Sequence, residues 1–367
     1  MRTPICDQLG LAHPIFAFTP SEQVAAAVSR AGGLGVLGCV RFNEAEELEA
    51  VLTWMDENTD GKPYGVDIVM PTKIPTEGTP ADLGKYIPAG HKQFVDDTLR
   101  KLGVPPLPAD GDPAADGVLG WLHSVARTHV DVALKHPIKL IANALGSPPK
   151  DVIDLAHSRN VPVAALAGKA KHARSHVDNG VDIVIAQGTE AGGHTGEIAT
   201  MVLVPEIVDA VGDDATVLAA GGIGSGRQIA AALALGAGGV WMGSYWLTTS
   251  EYTLGTGDAM KRALVAAGSD QTVRARVYSG KPARLLKTKW TDAWAEEGAP
   301  EPLPMPLQNL LVTEAHQRIA LSDDPDVVAM PVGQIVGRMN SVRPVAELIV
   351  ELVAEFDETL QRLDKTR

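Results

Sequence analysis

One histidine, His194, lies in a stretch with four glycines, which spans residues 183–196 and reads IVIAQGTEAGGHTG. Its apolar run ends at Gln187, and the glycines follow at once. Because glycine costs conformational entropy in a folded segment, this density predicts a tight turn or a close approach of the backbone to a ligand. An imidazole exchanges protons near neutral pH, so it suits an acid, a base or a donor to an anionic substrate. The stretch therefore marks His194 as a candidate catalytic residue.

A metal site is a weaker interpretation of the same stretch. Glu190 and His194 have the spacing of neighbours on one helix face, but the intervening Ala-Gly-Gly disfavours a helix. No second histidine follows at a distance typical of a metal ligand. The sequence therefore predicts no metal ion.

Two further glycine-rich stretches indicate a phosphate site. They cover residues 218–236, LAAGGIGSGRQIAAALALG, and residues 239–247, GVWMGSYWL. Glycine lets backbone N–H groups approach phosphate oxygens closely, and the first stretch leads into a predicted helix. The first stretch does not have the GxGxxG spacing of a dinucleotide fingerprint. We expect both stretches to bind one phosphate-bearing ligand.

These motifs follow short aliphatic runs that alternate with helical segments. The runs cover residues 13–18, 34–39, 64–69, 138–143, 161–166, 181–187, 216–220 and 239–243. Repeated strand–helix alternation predicts parallel strands, and eight such units favour a closed (β/α)8 barrel, the TIM barrel, over a doubly wound open sheet. In such barrels the active site lies at the C-terminal ends of the strands, where all three glycine-rich stretches begin.

Two long segments do not fit the simple repeat. The insertion after the third strand, residues 71–137, is much longer than an ordinary connection, and helices are expected over 91–102 and 121–134. It is either a surface excursion or a lid or pocket wall. The predicted division is a barrel over residues 1–250 and a C-terminal part over 251–367, with the last barrel helix and a helical extension. Apolar spacing over 345–363 predicts packing on the barrel or on a partner subunit.

The composition excludes several classes of function. The chain has 367 residues, 45 acidic against 32 basic, and a net charge of −13, which argues against nucleic acids and anionic membranes as partners. Its two cysteines, Cys6 and Cys39, form no CxxC motif and imply no disulfide framework. No signal-peptide or membrane-spanning run is visible, so we expect a soluble, cytoplasmic protein with a small-molecule substrate.

The motifs together resemble the nitronate monooxygenase (2-nitropropane dioxygenase) family of FMN-dependent TIM barrels. The matching text is AQGTEAGGHTG and LAAGGIGSGRQIAAALALGAGGVWMGSYWL, with HPIF and AVSRAGGLGVLG nearer the N-terminus. The resemblance covers residues from about 1 to 250, except the insertion. It implies FMN at the barrel mouth, with its phosphate near the seventh and eighth strands.

The resemblance also implies roles for individual residues. His194 matches the family's catalytic histidine, and Gly221, Gly222, Gly243 and Ser244 match its phosphate cradle. The full set of implied cofactor-binding residues is Ala17, Phe18, Asp67, Gln187, Gly192, Gly193, Gly221, Gly222, Trp241, Met242, Gly243 and Ser244.

Three positions depart from the family pattern. Asp67 falls where many members carry an asparagine beside the flavin, and a carboxylate is unfavourable next to an anionic reduced flavin unless it is protonated or paired. Leu166 takes the approximate place of a lysine found in some members, and Lys169 is the nearest cation. The first strand reads IFAF instead of a more polar version with methionine. FMN remains the expected cofactor, and the substrate stays open.

The implied reaction is oxidative denitration of an alkyl nitronate to a carbonyl compound, with O2 as the final electron acceptor. His194 would bind the nitronate oxygens or abstract the α-proton of a neutral nitroalkane. One alternative is an NAD(P)H-dependent flavin reductase of quinones or enoyl thioesters. Another is a barrel isomerase or lyase that binds a phosphorylated metabolite. The sequence is compatible with a homodimer and does not determine the oligomeric state.

Overall fold

The computed structural model describes residues 1–70, 83–107, 123–255 and 258–366. Eight parallel strands close into a barrel, in the order β1-β2-β3-β4-β5-β6-β8-β9, and β9 pairs with β1. They are β1 Ile15–Thr19, β2 Leu34–Gly38, β3 Tyr64–Asp67, β4 Ile141–Asn143, β5 Val163–Ala167, β6 Ile183–Gln187, β8 Thr216–Ala220 and β9 Gly239–Met242. The predicted (β/α)8 barrel is confirmed, and all eight aliphatic runs form its strands.

Helices follow most of the barrel strands, and further helices lie in the insertion and in the chain after β9. They cover Pro4–Leu9, Glu22–Arg30, Ala45–Asn58, Ala89–Lys101, His123–Ala133, Lys150–Ser158, Ala170–Asp178, Thr200–Val211, Gly226–Ala234, Ala259–Ala266, Lys289–Ala293, Leu307–Leu321 and Val345–Asp364. Serine caps fix the starts of two of them, since the Ser21 and Ser225 side chains accept hydrogen bonds from the backbone N–H groups of Val24 and Gln228. Among the described residues, no helix combines the length and apolarity that a membrane span requires.

The N-terminal helix Pro4–Leu9 plugs one end of the barrel. Its side chains Ile5, Cys6 and Leu9 are buried with the inward-facing residues of the strands, such as Phe16 and Trp241. Because side chains alternate along a strand, the other face of each strand packs under the helices. The opposite end of the barrel, where the strands have their C-termini, is therefore the end open to a ligand.

The helix Val345–Asp364 occupies the outside of the barrel between two earlier helices, Glu22–Arg30 and Gly226–Ala234. Its apolar face, which includes Leu348, Leu352 and Phe356, is buried. The contact with Gly226 is so close that an added Cβ there would lie 2.2 Å from the carbonyl oxygen of Leu352. This packing is one of the two arrangements that the apolar spacing predicts.

The chain between β9 and that helix builds a second, smaller unit. It contributes strands β10 (Thr272–Ala275) and β11 (Ala283–Leu286), which form an antiparallel sheet with β7 (Gly193–His194) in the order β10-β11-β7. The sequence did not predict this sheet.

The insertion after β3 packs into the same unit. Val95 and Leu99 of helix Ala89–Lys101 are buried in one apolar cluster with Val312 and Ile319 of helix Leu307–Leu321. The predicted helices over 91–102 and 121–134 correspond to Ala89–Lys101 and His123–Ala133. Residues 71–82 and 108–122 of the insertion lie outside the described residues, and its role as a lid or pocket wall stays a prediction.

Candidate active site

His194 lies in β7, which follows the barrel strand β6 after the turn formed by residues 188–192. It pairs with Ala283 of β11, and its neighbour Gly193 pairs with Arg284. Gly193 has a φ of +74°, a conformation that glycine adopts without strain. The glycine-rich stretch is thus partly ordered by strand pairing with a segment far away in the sequence.

A serine that sequence reasoning missed contacts the imidazole. His194 Nε2 lies 2.6 Å from Ser279 Oγ, and Ser279 is buried. The same hydroxyl accepts a hydrogen bond from the backbone N–H of Lys281 at 3.3 Å. Burial, and secondarily the positive charge of Lys281, lower the pKa of His194 to about 4. The imidazole is therefore neutral near pH 7, and Ser279 fixes its orientation.

Two arginines of the second sheet hold the ends of the loop from Thr189 to Thr195, here called the histidine loop. Arg284 donates to the carbonyl oxygen of Thr189 at 2.9 Å and to Thr272 Oγ1 at 3.1 Å. Arg274 donates to Thr195 Oγ1 at 3.2 Å and to the carbonyl oxygen of Thr195 at 3.0 Å. Guanidinium groups suit this role because their donors are fixed in one plane. The loop from Thr189 to Thr195 is therefore clamped on both sides of His194.

Glu190 has a structural partner. Its carboxylate accepts hydrogen bonds from the backbone N–H of Thr200 at 2.9 Å and from Thr200 Oγ1 at 2.8 Å. A carboxylate at the start of helix Thr200–Val211 also interacts favourably with the helix dipole. Within the described residues, no group of three or more potential metal ligands occurs.

The sequence also gives no indication of a second segment, residues 332–334, which crosses the histidine loop. An added Cβ on Gly192 would lie 2.7 Å from the carbonyl carbon of Val332 and 2.8 Å from the backbone nitrogen of Gly333. Gly333 donates its N–H to Ser244 Oγ at 2.8 Å, and Gln334 donates its N–H to the carbonyl oxygen of Glu190 at 2.9 Å. The segment therefore ties the histidine loop to the loop after β9.

The glycine-rich loops after β8 and β9 have the features of an anion site. Gly221 and Gly222 have φ angles of +103° and +71°. The backbone N–H groups of Gly221, Gly222 and Ser244 donate to no residue that the structure describes. Unengaged backbone donors in glycine turns are suited to bind a phosphate. These residues therefore fit the phosphate cradle that the resemblance implies.

The candidate ring-contacting residues divide into two groups. Phe18 and Trp241 face the barrel interior and stack on each other, with ring centroids 6.1 Å apart. Ala17 and Met242 are buried in the cluster between strands and helices. Their side chains thus point away from the barrel mouth, and a ligand there could meet only their backbone. Gln187, at the end of β6, has no side-chain hydrogen bond to a described residue.

The remaining positions lie at the C-terminal ends of barrel strands or just beyond them. An added Cβ on Gly243 would lie 3.6 Å from Phe18 Cδ1, an ordinary contact. Leu166 packs against the interior cluster, and Lys169 precedes helix Ala170–Asp178 as its N-cap residue. Asp67 ends β3 and is buried.

The sequence profile described as nitronate monooxygenase matches residues 5–355. The chain belongs to the nitronate monooxygenase family. It is 50% identical over 376 residues to a candidate monooxygenase of Mycobacterium tuberculosis, covering 99% of this chain and 98% of that relative. A solved nitroalkane oxidase from Streptomyces ansochromogenes has a TM-score of 0.80 and 29% identity, with 98% and 99% of the two chains covered.

Another relative in Mycobacterium tuberculosis is named for a CoA thioester substrate, a 5-hydroxy-7a-methyl-1-oxo-octahydro-1H-indene-4-carboxyl-CoA dehydrogenase. The identity is 32% over 294 residues, which cover 79% of this chain and 67% of the relative. The relatives of this nitronate monooxygenase family member are thus named for different substrates.

Ser279→Ala tests whether Ser279 positions His194 in this family member. We expect kcat to fall by about 2- to 12-fold, the effect of one lost hydrogen bond worth about 0.5–1.5 kcal/mol. Steady-state kinetics should show the change in kcat more than in KM, since substrate-binding groups stay in place. Ser279→Thr keeps the hydroxyl and should recover most of the loss. Equal losses in both variants would contradict a positioning role.

Proposed function

We propose that the chain is an FMN-dependent oxidoreductase that oxidatively denitrates alkyl nitronates with O2. The family match supports this proposal, and one observation carries it. The unengaged N–H groups of Gly221, Gly222 and Ser244 occur in the same barrel mouth region as the clamped, neutral His194. A phosphate held by the first group would anchor a cofactor next to the second.

Different residues would bind different parts of FMN. Gly221, Gly222, Gly243 and Ser244 would hold the FMN phosphate through backbone N–H groups, with no positive side chain required. The aromatic faces of Phe18 and Trp241 would offer apolar contact, and the amide of Gln187 would offer one donor and one acceptor. The other ring contacts in the proposal are Asp67 and, through backbone atoms only, Ala17, Gly192, Gly193 and Met242.

When bound, FMN supplies two-electron oxidation of the substrate and returns the electrons to O2. The chain itself positions the substrate. Neutral His194 can donate one hydrogen bond to a nitronate oxygen, or accept the α-proton of a neutral nitroalkane. A low pKa makes an imidazole a weak base, so the site favours a substrate that arrives as a preformed nitronate anion.

Reconstitution tests this proposal. Purified protein should take up one FMN per chain and show flavin absorbance, and alkyl nitronate should then drive O2 consumption with release of nitrite. Riboflavin lacks the phosphate and should bind more weakly than FMN. The difference in binding free energy measures the contribution of the phosphate cradle. No flavin absorbance after reconstitution would contradict the proposal and favour a barrel isomerase or lyase of a phosphorylated metabolite.

A second candidate function is an oxidoreductase of CoA thioesters that exchanges electrons with NAD(P)H. The relative named as a carboxyl-CoA dehydrogenase favours it. Exposed Lys281, beside His194, adds a cation that no described carboxylate neutralises and that would suit the phosphates of CoA.

Anaerobic mixing separates the two candidate functions. Fast bleaching of the flavin by NADH or NADPH, and reoxidation by an enoyl-CoA, would support the thioester enzyme. Bleaching by alkyl nitronate without response to either nicotinamide would support the nitronate enzyme.

A further inference from the structure

Asp67 places a carboxyl group inside the barrel at its open end. In β3, Val66 belongs to the outer apolar cluster, so the alternation of side chains turns Gly65 and Asp67 inward. Asp67 lies in register with Gly38 of β2 and Ala142 of β4, and Ala142 belongs to the interior cluster. The residue is only 3% exposed.

The carboxyl group has no described partner. It takes part in no hydrogen bond or ion pair with a residue that the structure describes. Burial alone raises the pKa of Asp67 to about 7. A buried carboxyl without a cation prefers its neutral form, which keeps an O–H donor that needs an acceptor.

The neighbouring groups neither neutralise nor compete with this carboxyl. Burial, and secondarily Asp67, raise the pKa of the Cys39 thiol, which stays neutral throughout the neutral range. Arg41 lies near that thiol, but it pairs with Glu22 at 2.6 Å. On β4, the uncharged Asn143 is engaged with the backbone of Met70. The hydroxyl of Tyr64 points out of the barrel and bonds Asp56 at 2.6 Å.

We propose that the inward-facing carboxyl group of Asp67, which has no described partner, donates a hydrogen bond to the flavin as a carboxylic acid, and that its ionisation weakens flavin binding. This inference rests on the proposed function. A bound ring would cover the carboxyl and remove remaining water, which penalises the carboxylate further. The carbonyl oxygens and unprotonated ring nitrogens of an oxidised flavin can accept from a carboxylic O–H but not from a carboxylate.

The expected pH dependence follows from the fraction of protein in the acid form. If only that form binds, the apparent Kd equals the intrinsic Kd divided by this fraction. The Kd should then be constant well below pH 7 and rise about tenfold between pH 6 and pH 8. The sign is opposite to that of an ordinary aspartate, which is already ionised over this range.

The experiment measures the Kd of riboflavin and of FMN for the flavin-free protein by fluorescence titration from pH 5.5 to 8.5. Riboflavin avoids the second ionisation of the FMN phosphate, which falls near pH 6. Asp67→Asn keeps a neutral donor and should show less than a twofold change across this range. Asp67→Ala removes the donor and should bind flavin more weakly at every pH. Its Kd, too, should not rise with pH.

Asp56→Asn is the matched control, because it removes a carboxylate bound to Tyr64 on the outside of the same strand. The flavin Kd of this variant should rise with pH as much as the Kd of the wild type. A rise of the same size in Asp67→Asn, or no rise in the wild type, would overturn the inference alone. If the wild type binds no flavin at any pH, the proposed function fails as well.

Thermal unfolding of the flavin-free protein tests the same ionisation without a ligand. A carboxyl with a raised pKa in the folded state stabilises the fold at low pH and loses this contribution as pH rises through about 7. The wild-type Tm should therefore fall more between pH 6 and pH 8 than the Tm of Asp67→Asn. Parallel curves would show that Asp67 does not titrate there and would overturn the inference.

Discussion

Replacing His194 by alanine should lower kcat by about 100- to 10,000-fold, the range that one acid–base or donor group supplies. The loss should fall on kcat with bound FMN retained, because the proposed phosphate cradle lies in the loops after β8 and β9, away from the His194 side chain. Stopped-flow reduction of the flavin by alkyl nitronate measures the affected step directly. Retained flavin absorbance with normal turnover would remove His194 from the mechanism.

His176→Ala provides a matched control. His176 Nδ1 lies 2.6 Å from Ser147 Oγ, so this histidine has a serine partner like that of His194 but sits on helix Ala170–Asp178. Its loss should lower stability and leave kcat nearly unchanged. A comparable loss of kcat in this control would point to general damage to the fold.

The pH profile of the wild type gives a second test of the His194 environment. Because burial lowers the pKa of His194 to about 4, protonation should reduce kcat/KM for a nitronate only below about pH 5. An imidazole with an ordinary value near 6.5 would already lose activity on going from pH 7 to pH 6. A fall centred near pH 6.5 that disappears in His194→Ala would contradict the neutral, buried imidazole.

Replacing Gly192 by alanine should lower both stability and activity. The new methyl group would meet backbone atoms of Val332 and Gly333 at 2.7 and 2.8 Å, and backbone cannot turn aside as a flexible side chain can. We expect a loss of about 1–3 kcal/mol in the free energy of unfolding, as for other overpacked positions. The contact between the histidine loop and residues 332–334 should loosen, so kcat should fall as well. Urea unfolding measures the loss of stability, and steady-state kinetics measures the loss of kcat.

Gly193→Asn is the control for this pair of neighbouring glycines. A Cβ on Gly193 meets no atom within 4 Å, and asparagine tolerates the positive φ of +74° better than other residues. The variant should therefore cost less than Gly192→Ala in both measurements. The reverse order would show that backbone conformation, not the close crossing, requires glycine in this loop.

The barrel was predictable because its information is local. Each barrel strand is a short aliphatic run, and glycine-rich turns mark the C-terminal ends of β6, β8 and β9. The same alternation could have shown that Ala17 and Met242 point outward, since they lie next to the inward-facing Phe18 and Trp241. Period-two counting from these aromatic residues was the missed signal.

The support of His194 was not predictable from single segments. Ser279, Arg284 and Gly333 reach the histidine loop only after the chain has left the barrel and returned. Strands β10 and β11 have four residues each, and β7 has two, too short for a periodic signal. The region after residue 250 is therefore more than an extension, because it holds the candidate catalytic residue in place.

The position of helix Val345–Asp364 also sets the order in which the protein can fold during synthesis. This helix covers Glu22–Arg30, which is synthesised much earlier. Strand β1 likewise cannot complete its pairing until β9 has been made. Roughly 300 residues are added between the two helices, which takes about 15–60 s at usual elongation rates. During that time the apolar surfaces of β1 and of its helix lack their final neighbours. A nascent chain of this topology thus depends on the late arrival of helix Val345–Asp364 to shield helix Glu22–Arg30, which is made long before it.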